Sequence, residues 1–305
     1  MVTLVTGSNG LVGSAVKALN PSEYFFATRK DADLVDFEQT MALFSRVKPQ
    51  RVLHLAALVG GIGGNSLNSA DYFMGNLRIN INTLEAARLN GVERLISFMS
   101  TCVFPDKVDY PLTPNTLHFG PPHPSNFGYA YAKRMLEVQT RAYRSQWGLK
   151  YSIAIPANIY GPNDNFNLKN GHVIPSLIHK LYKAKLANLP IEVWGTGKSL
   201  REFVYSEDIA RLAIWMLDNY DDPDPLILSN SEEFSIQSIV KTLANLMDFS
   251  GEIIFDSSKP DGQYRKPSDT KILKSLNPKF KFMTIEEGFG RTIDWFRNSY
   301  PSIRE

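Results

Sequence analysis

The chain has 305 residues, 43% hydrophobic and 21% charged, with 33 Lys and Arg against 31 Asp and Glu. That length builds one large domain or two of ordinary size, and the near-balance of charge, with no cluster of five or more cations, argues against nucleic acid or an anionic membrane as a partner. The single cysteine excludes an internal disulfide; with no basic leader, no membrane-length apolar run and no usable Asn-x-Ser/Thr site, the composition fits a reducing, cytoplasmic setting.

From residue 2 to residue 156 short apolar runs alternate with amphipathic stretches. Val2–Thr6, Tyr24–Thr28, Arg51–Ala56, Arg94–Ser100 and Tyr151–Pro156 read as strands, and helical spacing fills 10–19, 37–47, 66–90 and 128–147. This alternation is the βαβ signature of a parallel sheet. Asp36 followed by Gln39 reads as a capping box, and Asn90-Gly91 as a helix stop. Residues 105–127 carry Pro105, Pro111, Pro114, Pro121, Pro122 and Pro124, too many for a helix or a central strand, so a long loop is expected there. Residues 157–171 are expected to be irregular. Beyond them come a helix opening near His172, strands at 190–194 and 201–205, a helix from Ser206 and further αβ pieces. The expected fold is α/β: a Rossmann-type doubly wound parallel sheet over residues 1–160, and a smaller C-terminal α/β substrate domain over 161–305, some segments of which return to the sheet.

Gly7, Gly10 and Gly13 follow the first strand and open the first helix, so backbone N–H groups and the helix dipole can hold a pyrophosphate. A Cβ at these positions would block the turn or the approach of the phosphate. The second strand ends Thr28-Arg29-Lys30, and cations there suit a ribose 2′-phosphate, which favours NADP over NAD. The plainer reading is two solvated loop charges. Asp36 is placed to cap its helix, to approach an adenine, or both.

Helix 128–147 begins Gly128-Tyr129-Ala130-Tyr131-Ala132-Lys133, and of thirteen tyrosines only Tyr129 has a lysine four residues on. That spacing puts phenol and ammonium on one face, a turn apart, where the ammonium is expected to favour the phenolate. Cys102, the only cysteine, lies two residues after Ser100 at the end of the fourth strand. A free cysteine is ordinarily a small buried hydrophobe, and His172 at a helix start is ordinarily a cap. His54, inside an apolar run, reads as a core histidine. His118, His123 and His179 show no metal spacing, so no metal is expected.

Serine, tyrosine and lysine in that order behind an N-terminal glycine loop resemble the short-chain dehydrogenase/reductase family. Val59-Gly60-Gly61-Ile62, Ser100 to Pro105, Gly161-Pro162-Asn163-Asp164-Asn165-Phe166, His172-Val173-Ile174-Pro175 and Val193-Trp194-Gly195-Thr196-Gly197 through Arg201-Glu202-Phe203 resemble its GDP-L-fucose synthase branch almost end to end. The resemblance implies epimerisation of GDP-4-keto-6-deoxy-D-mannose at carbons 3 and 5, then NADPH-dependent reduction at carbon 4. Carbons 3 and 5 flank a ketone that acidifies their protons, and a thiol and an imidazole titrate near enough to neutrality to exchange them. By resemblance Cys102 is the base, His172 the acid, Tyr129 and Ser100 the partners of the ketone oxygen, and Lys133 the residue that tunes Tyr129 and holds the nicotinamide ribose.

The resemblance further implies a cofactor site of Gly7, Asn9, Gly10, Leu11, Val12, Gly13, Arg29, Lys30, Asp36, Ala56, Ala57, Tyr129, Lys133, Pro156, Asn158, Ile159 and His172. It nominates Asn158, Val173, Lys180, Trp194, Arg201 and Lys266 for the GDP-sugar, surface ion pairing being the plainer role of the three cations. Gly60 to Asn65 are expected near the sugar and the nicotinamide, with extra glycines at 63 and 64 that depart from the common pattern. A homodimer is implied through helices 66–90 and 128–147; Tyr131, Leu136, Tyr143 and Trp147 give the second more apolar surface than one core-facing stripe requires. Two other readings compete. A nucleotide-sugar epimerase or dehydratase of the same superfamily would recycle NAD, and dehydratases resembling this chain place an acidic pair where Thr101-Cys102 stand. A non-catalytic NADP-sensing protein should have lost Tyr129 or Lys133, and both are present.

Overall fold

The computed structural model describes residues 1–60, 67–169, 171–259 and 261–305. Strands β1 (Thr3–Thr6), β2 (Tyr24–Phe26), β3 (Arg51–His54), β4 (Arg94–Phe98) and β5 (Lys150–Pro156) alternate with helices α1 (Leu11–Ala18), α2 (Phe37–Val47), α3 (Ser69–Leu89) and α4 (Phe127–Trp147). Three of these strands, β2, β3 and β4, leave the ladder two residues before the carboxyl end expected for them, because there the backbone turns outward into the loops that carry the site. Asp36 caps α2 through Gln39 N at 3.0 Å, and the Gln39 amide returns to the same carboxylate at 3.1 Å.

The chain continues through β6 (Asn158–Tyr160), α5 (Val173–Ala187), β7 (Ile191–Trp194), β8 (Leu200–Tyr205), α6 (Ser206–Asn219), β9 (Leu226–Leu228), β10 (Glu233–Ser235), α7 (Ile236–Leu246), β11 (Ile253–Asp256), α8 (Lys271–Leu276) and α9 (Ile285–Ser299). The stretch expected to be irregular therefore holds a strand. Residues 158–160 pair in parallel with β8, a long-range partner that local sequence does not reveal.

Six strands form one parallel sheet in the order β2-β1-β3-β4-β5-β9. Consecutive strand residues face opposite sides. Leu4, Val52, Leu95 and Ile153 pack on Leu43, Phe44, Leu84 and Leu136 of α2, α3 and α4, whereas Val5, Leu53, Ile96 and Ala154 pack on Val16, Ile209, Ala213 and Met216 of α1 and α6. A sheet buried on both faces explains why its strands read as apolar runs rather than as alternation. Leu136 is fully buried in that core, so it supplies the inward stripe of α4; the outward apolar residues are Phe127, Met135, Val138 and Trp147. A further core gathers Phe166, Ile178, Leu181, Phe203, Leu243, Phe289 and Phe296 around the smaller β10-β8-β6 sheet.

His54 is the core histidine expected. It lies fully buried between Thr6 Oγ1 at 2.9 Å and Asn80 Oδ1 at 3.1 Å, and burial holds its imidazole down to about 3, neutral across the physiological range. Strand order reverses at β1, with β2 on one side and β3 on the other. Ligands of open α/β sheets bind beyond the carboxyl ends of the strands at such a point.

Candidate active site

Gly7 leaves β1 with φ +68°, and a Cβ built on it would stand 2.6 Å from Ala56 N. A Cβ on Gly13 would stand 2.5 Å from Gly7 O and 2.6 Å from Ser8 Cα. Backbone obstacles of this kind cannot move aside, so glycine is required for the loop to fold against α1 and the end of β3. Gly10 caps α1 with no side-chain hydrogen bond, and Leu11 and Val12 begin a first turn without acidic residues. Its leading N–H groups thus suit an anion. Asn9 is exposed and accepts from Lys17 Nζ at 2.7 Å. Ala56 N donates to Thr6 Oγ1 at 3.3 Å, which fixes the start of the Ala56-Ala57 segment.

Beyond β2, Thr28 donates its N–H and hydroxyl to Asp31, each at 2.9 Å, and the turn leaves Arg29 and Lys30 exposed. Arg29, Ala57, Leu58 and Arg304 line part of one hollow of about 350 Å³. Asp36 is engaged as the cap of α2. A bare glycine cradle, open helix N–H groups and a guanidinium at the end of β2 fit a dinucleotide carrying an extra phosphate.

At the end of β4, Ser100 leads into a single turn over Thr101–Val103 that leaves Cys102 half-buried. Arg134 of α4 holds this turn from beneath: Nε donates to Val103 O and Nη1 to Gly120 O, both at 2.7 Å, so one buried guanidinium ties the cysteine turn to the proline-rich loop. A Cβ on Gly128 would stand 2.2 Å from Ser69 O; that close approach of α3 and α4 sets the position of Tyr129. Lys133 Nζ donates to Phe98 O at 2.8 Å and lies 6.0 Å from the centre of the Tyr129 ring.

Burial lowers Lys133 to about 8, although the Cys102 thiol acts the other way. Burial pushes the Tyr129 hydroxyl up, with Cys102 adding to the effect. The expectation that Lys133 acidifies Tyr129 is not met in the protein alone, because the ammonium is engaged by a carbonyl and is itself short of solvent. Burial also pushes the Cys102 thiol up; Lys266 opposes it most strongly, then a hydrogen bond from Ser100 and the charge of Lys133.

His172 stands at the N-cap of α5 but makes no capping bond; its Nδ1 faces Asp164 Oδ1 at 3.2 Å. Burial pulls the imidazole down, and the hydrogen bond and charge of Asp164 more than restore it, so the net shift is upward. Val173 begins α5 exposed. Pro156 closes β5, Asn158 Nδ2 donates to Glu202 O at 2.8 Å, and Ile159 lies half-buried in β6.

Lys180 Nζ donates to Glu192 O at 3.1 Å, and Trp194 is exposed with Lys259 Nζ 6.0 Å from its ring. Arg201 Nη1 donates to Leu200 O at 2.7 Å. Burial lowers all three nominated cations, Lys180, Arg201 and Lys266. Gln263 Nε2 donates to Asp106 Oδ1 at 2.7 Å, Leu112 N to Pro267 O at 2.7 Å and Asp269 N to Leu112 O at 2.9 Å. The segment carrying Lys266 is thus stitched to the loop that follows Cys102.

The structure gathers Ser100, Cys102, Tyr129, Lys133 and Lys266 into one electrostatically coupled group. His172 is tied instead to Asp164 and to the charge of Arg304. The expected contribution of residues 61–65 lies outside the described residues. Sequence reasoning missed Asp164 and Arg134. Asp164 was visible within the Gly161–Phe166 motif, but nothing in spacing paired it with a histidine eight residues on; Arg134 follows Lys133 and carries no periodic signal.

The profile of the NAD dependent epimerase/dehydratase family matches residues 3–229. A GDP-L-fucose synthase from Dictyostelium discoideum is 44% identical over 99% of this chain and 97% of its own length. A probable GDP-L-fucose synthase from Drosophila melanogaster is 42% identical over 99% of both chains. Among solved structures, a GDP-L-fucose synthetase from Naegleria fowleri bound to NADP superposes with a TM-score of 0.95 at 41% identity, covering 100% of this chain and 95% of that one.

Proposed function

The chain belongs to the NAD dependent epimerase/dehydratase family and, within it, to the GDP-L-fucose synthases, and from this we propose that it converts GDP-4-keto-6-deoxy-D-mannose to GDP-L-fucose. It is an NADP-dependent epimerase and reductase. The observation that carries the reading to individual residues is the convergence at the carboxyl end of β4 of Lys133, bonded to Phe98 O at 2.8 Å and 6.0 Å from the centre of the Tyr129 ring, with the turn that holds Cys102.

Cys102 removes the protons from carbons 3 and 5, each acidified by the neighbouring ketone, and His172 returns one to the opposite face in each inversion. The Ser100 and Tyr129 hydroxyls donate to the ketone oxygen as negative charge gathers there. When bound, NADPH supplies the hydride that reduces carbon 4. Tyr129 then gives its proton to the carbon 4 oxygen, and the charge of Lys133, 6.0 Å from the ring centre, favours the phenolate that remains.

Gly7, Gly10 and Gly13 would seat the pyrophosphate, Arg29 and Lys30 the 2′-phosphate, and Ala56, Ala57 and residues 156–159 the nicotinamide half. Lys180, Arg201 and Lys266 face the GDP diphosphate in this reading, with Trp194 beside them. The division of labour follows the fold: residues 1–160 hold the cofactor and 161–305 mainly the sugar nucleotide, with β9 returning to the large sheet. A homodimer through α3 and α4 is supported by the exposed Met74, Ile81, Met135 and Val138. Among the described residues no helix is long and apolar enough to cross a membrane, and we place the enzyme in the cytoplasm.

Incubation of the purified protein with the keto sugar and NADPH, followed by NMR of the product, tests the function directly. GDP-L-fucose with stoichiometric loss of 340 nm absorbance is expected. A product reduced without inversion at carbons 3 and 5 would overturn the epimerase half.

A further inference from the structure

We propose that Asp164 is a positioning residue for the acid: its carboxylate holds the Nδ1–H of His172, so that Nε2 is the nitrogen that carries and delivers the proton. This rests on the assignment of His172 as the acid. Asp164 is 2% exposed; Oδ1 accepts from Asn165 N at 2.7 Å and faces His172 Nδ1 at 3.2 Å, while the buried Oδ2 has no partner among the described residues. Among the described residues His172 is the one cationic side chain in ion-pair contact with it. A half-satisfied carboxylate out of water favours positive charge on its neighbour.

The loop is built to keep that carboxylate in place. Phe166, fully buried, stacks on Trp295 with ring centres 5.7 Å apart, and its N–H donates to Arg304 O at 2.8 Å. Asn165 and Asn167 side chains accept from backbone N–H groups two residues on, and a Cβ on Gly171 would stand 2.4 Å from Asn167 O. His172 makes no helix cap with its ring, so both nitrogens remain available to Asp164 and to a substrate. Two charges act on the imidazole: Asp164 raises its proton affinity and Arg304 lowers it, and the net effect is upward.

In the step itself the Nε2–H bond of the imidazolium breaks and a C–H bond forms on the enolate carbon, whose negative charge disappears. The imidazole left behind still carries its Nδ1 proton, held by Asp164, and Nε2 is free to take a proton from water for the second inversion.

The test is a histidine ¹H–¹⁵N NMR titration of the full-length protein, with His172→Gln identifying the signal. Wild type is expected to show the Nδ1–H tautomer of His172 once neutral. In Asp164→Asn the midpoint should fall by about one pH unit, and solvent-deuterium incorporation at carbons 3 and 5 should slow roughly 10-fold at neutral pH, with the KM for the sugar nucleotide unchanged. An Nε2–H tautomer in wild type overturns the proposal without any variant. An unmoved midpoint in Asp164→Asn overturns it as well. Full deuterium incorporation by His172→Gln would instead overturn the acid assignment on which it rests.

Discussion

Lys133 Nζ donates to Phe98 O at 2.8 Å, which ties the second turn of α4 to the last residue of β4 and keeps the ammonium 6.0 Å from the centre of the Tyr129 ring. The charge of this lysine is therefore burdened by burial. Its proton affinity falls from 10.5 to about 8. Between those values the unfolded chain binds a proton that the folded chain has released, so this group makes stability rise with pH across that window and contributes no slope below it. Lys133→Met should remove that rise, as melting temperatures of the apoprotein from pH 7 to 10.5 would record, and should slow reduction about 100-fold. Parallel melting curves for the two proteins would contradict the assignment.

The thiol of Cys102 is raised by burial and most strongly relieved by Lys266. Cys102→Ser should cut deuterium uptake at carbons 3 and 5 at least about 100-fold while NADPH still binds. Unchanged uptake would remove Cys102 from the base role.

Lys266→Met should separate the two tasks open to that lysine. Without its ammonium the thiolate is harder to form, so the pH midpoint of proton exchange should move upward. If Lys266 acts on the diphosphate alone, KM rises and the midpoint stays.

Arg29 is exposed beyond β2 and borders the hollow lined by Ala57 and Leu58. Arg29→Ala should weaken NADPH about 10-fold and leave NADH nearly unaffected, by fluorescence titration. An equal loss for both would place the 2′-phosphate elsewhere.

Val138 is 45% exposed on the outward face of α4. Val138→Glu should shift a wild-type dimer toward monomer in sedimentation velocity, because a carboxylate in an apolar interface must be desolvated. A wild-type monomer would end the dimer proposal at once.

Much of the sheet was legible because burial on both faces writes strands as apolar runs and glycine spacing marks the first turn. Lys133 was legible as a partner of Tyr129 from a spacing of four, yet the carbonyl that engages it belongs to Phe98, 35 residues earlier. Strand β6 went unread since its partner, β8, is distant in the chain. Leu136 and Trp147 were counted together as apolar surface of α4, yet Leu136 is buried in the core and Trp147 is exposed, because helical periodicity gives the width of an apolar stripe but not which neighbour it meets.

Local order along the chain carried the residue types: a bare glycine turn for phosphate, a phenol and an ammonium one helical turn apart, a thiol after a serine. These depend on backbone geometry and on chemistry that each residue brings with it. Their proton affinities, and the pairing of Asp164 with His172, arise only when separate segments exclude water from one another. Electrostatic energies depend on distance and burial, and folding alone sets both.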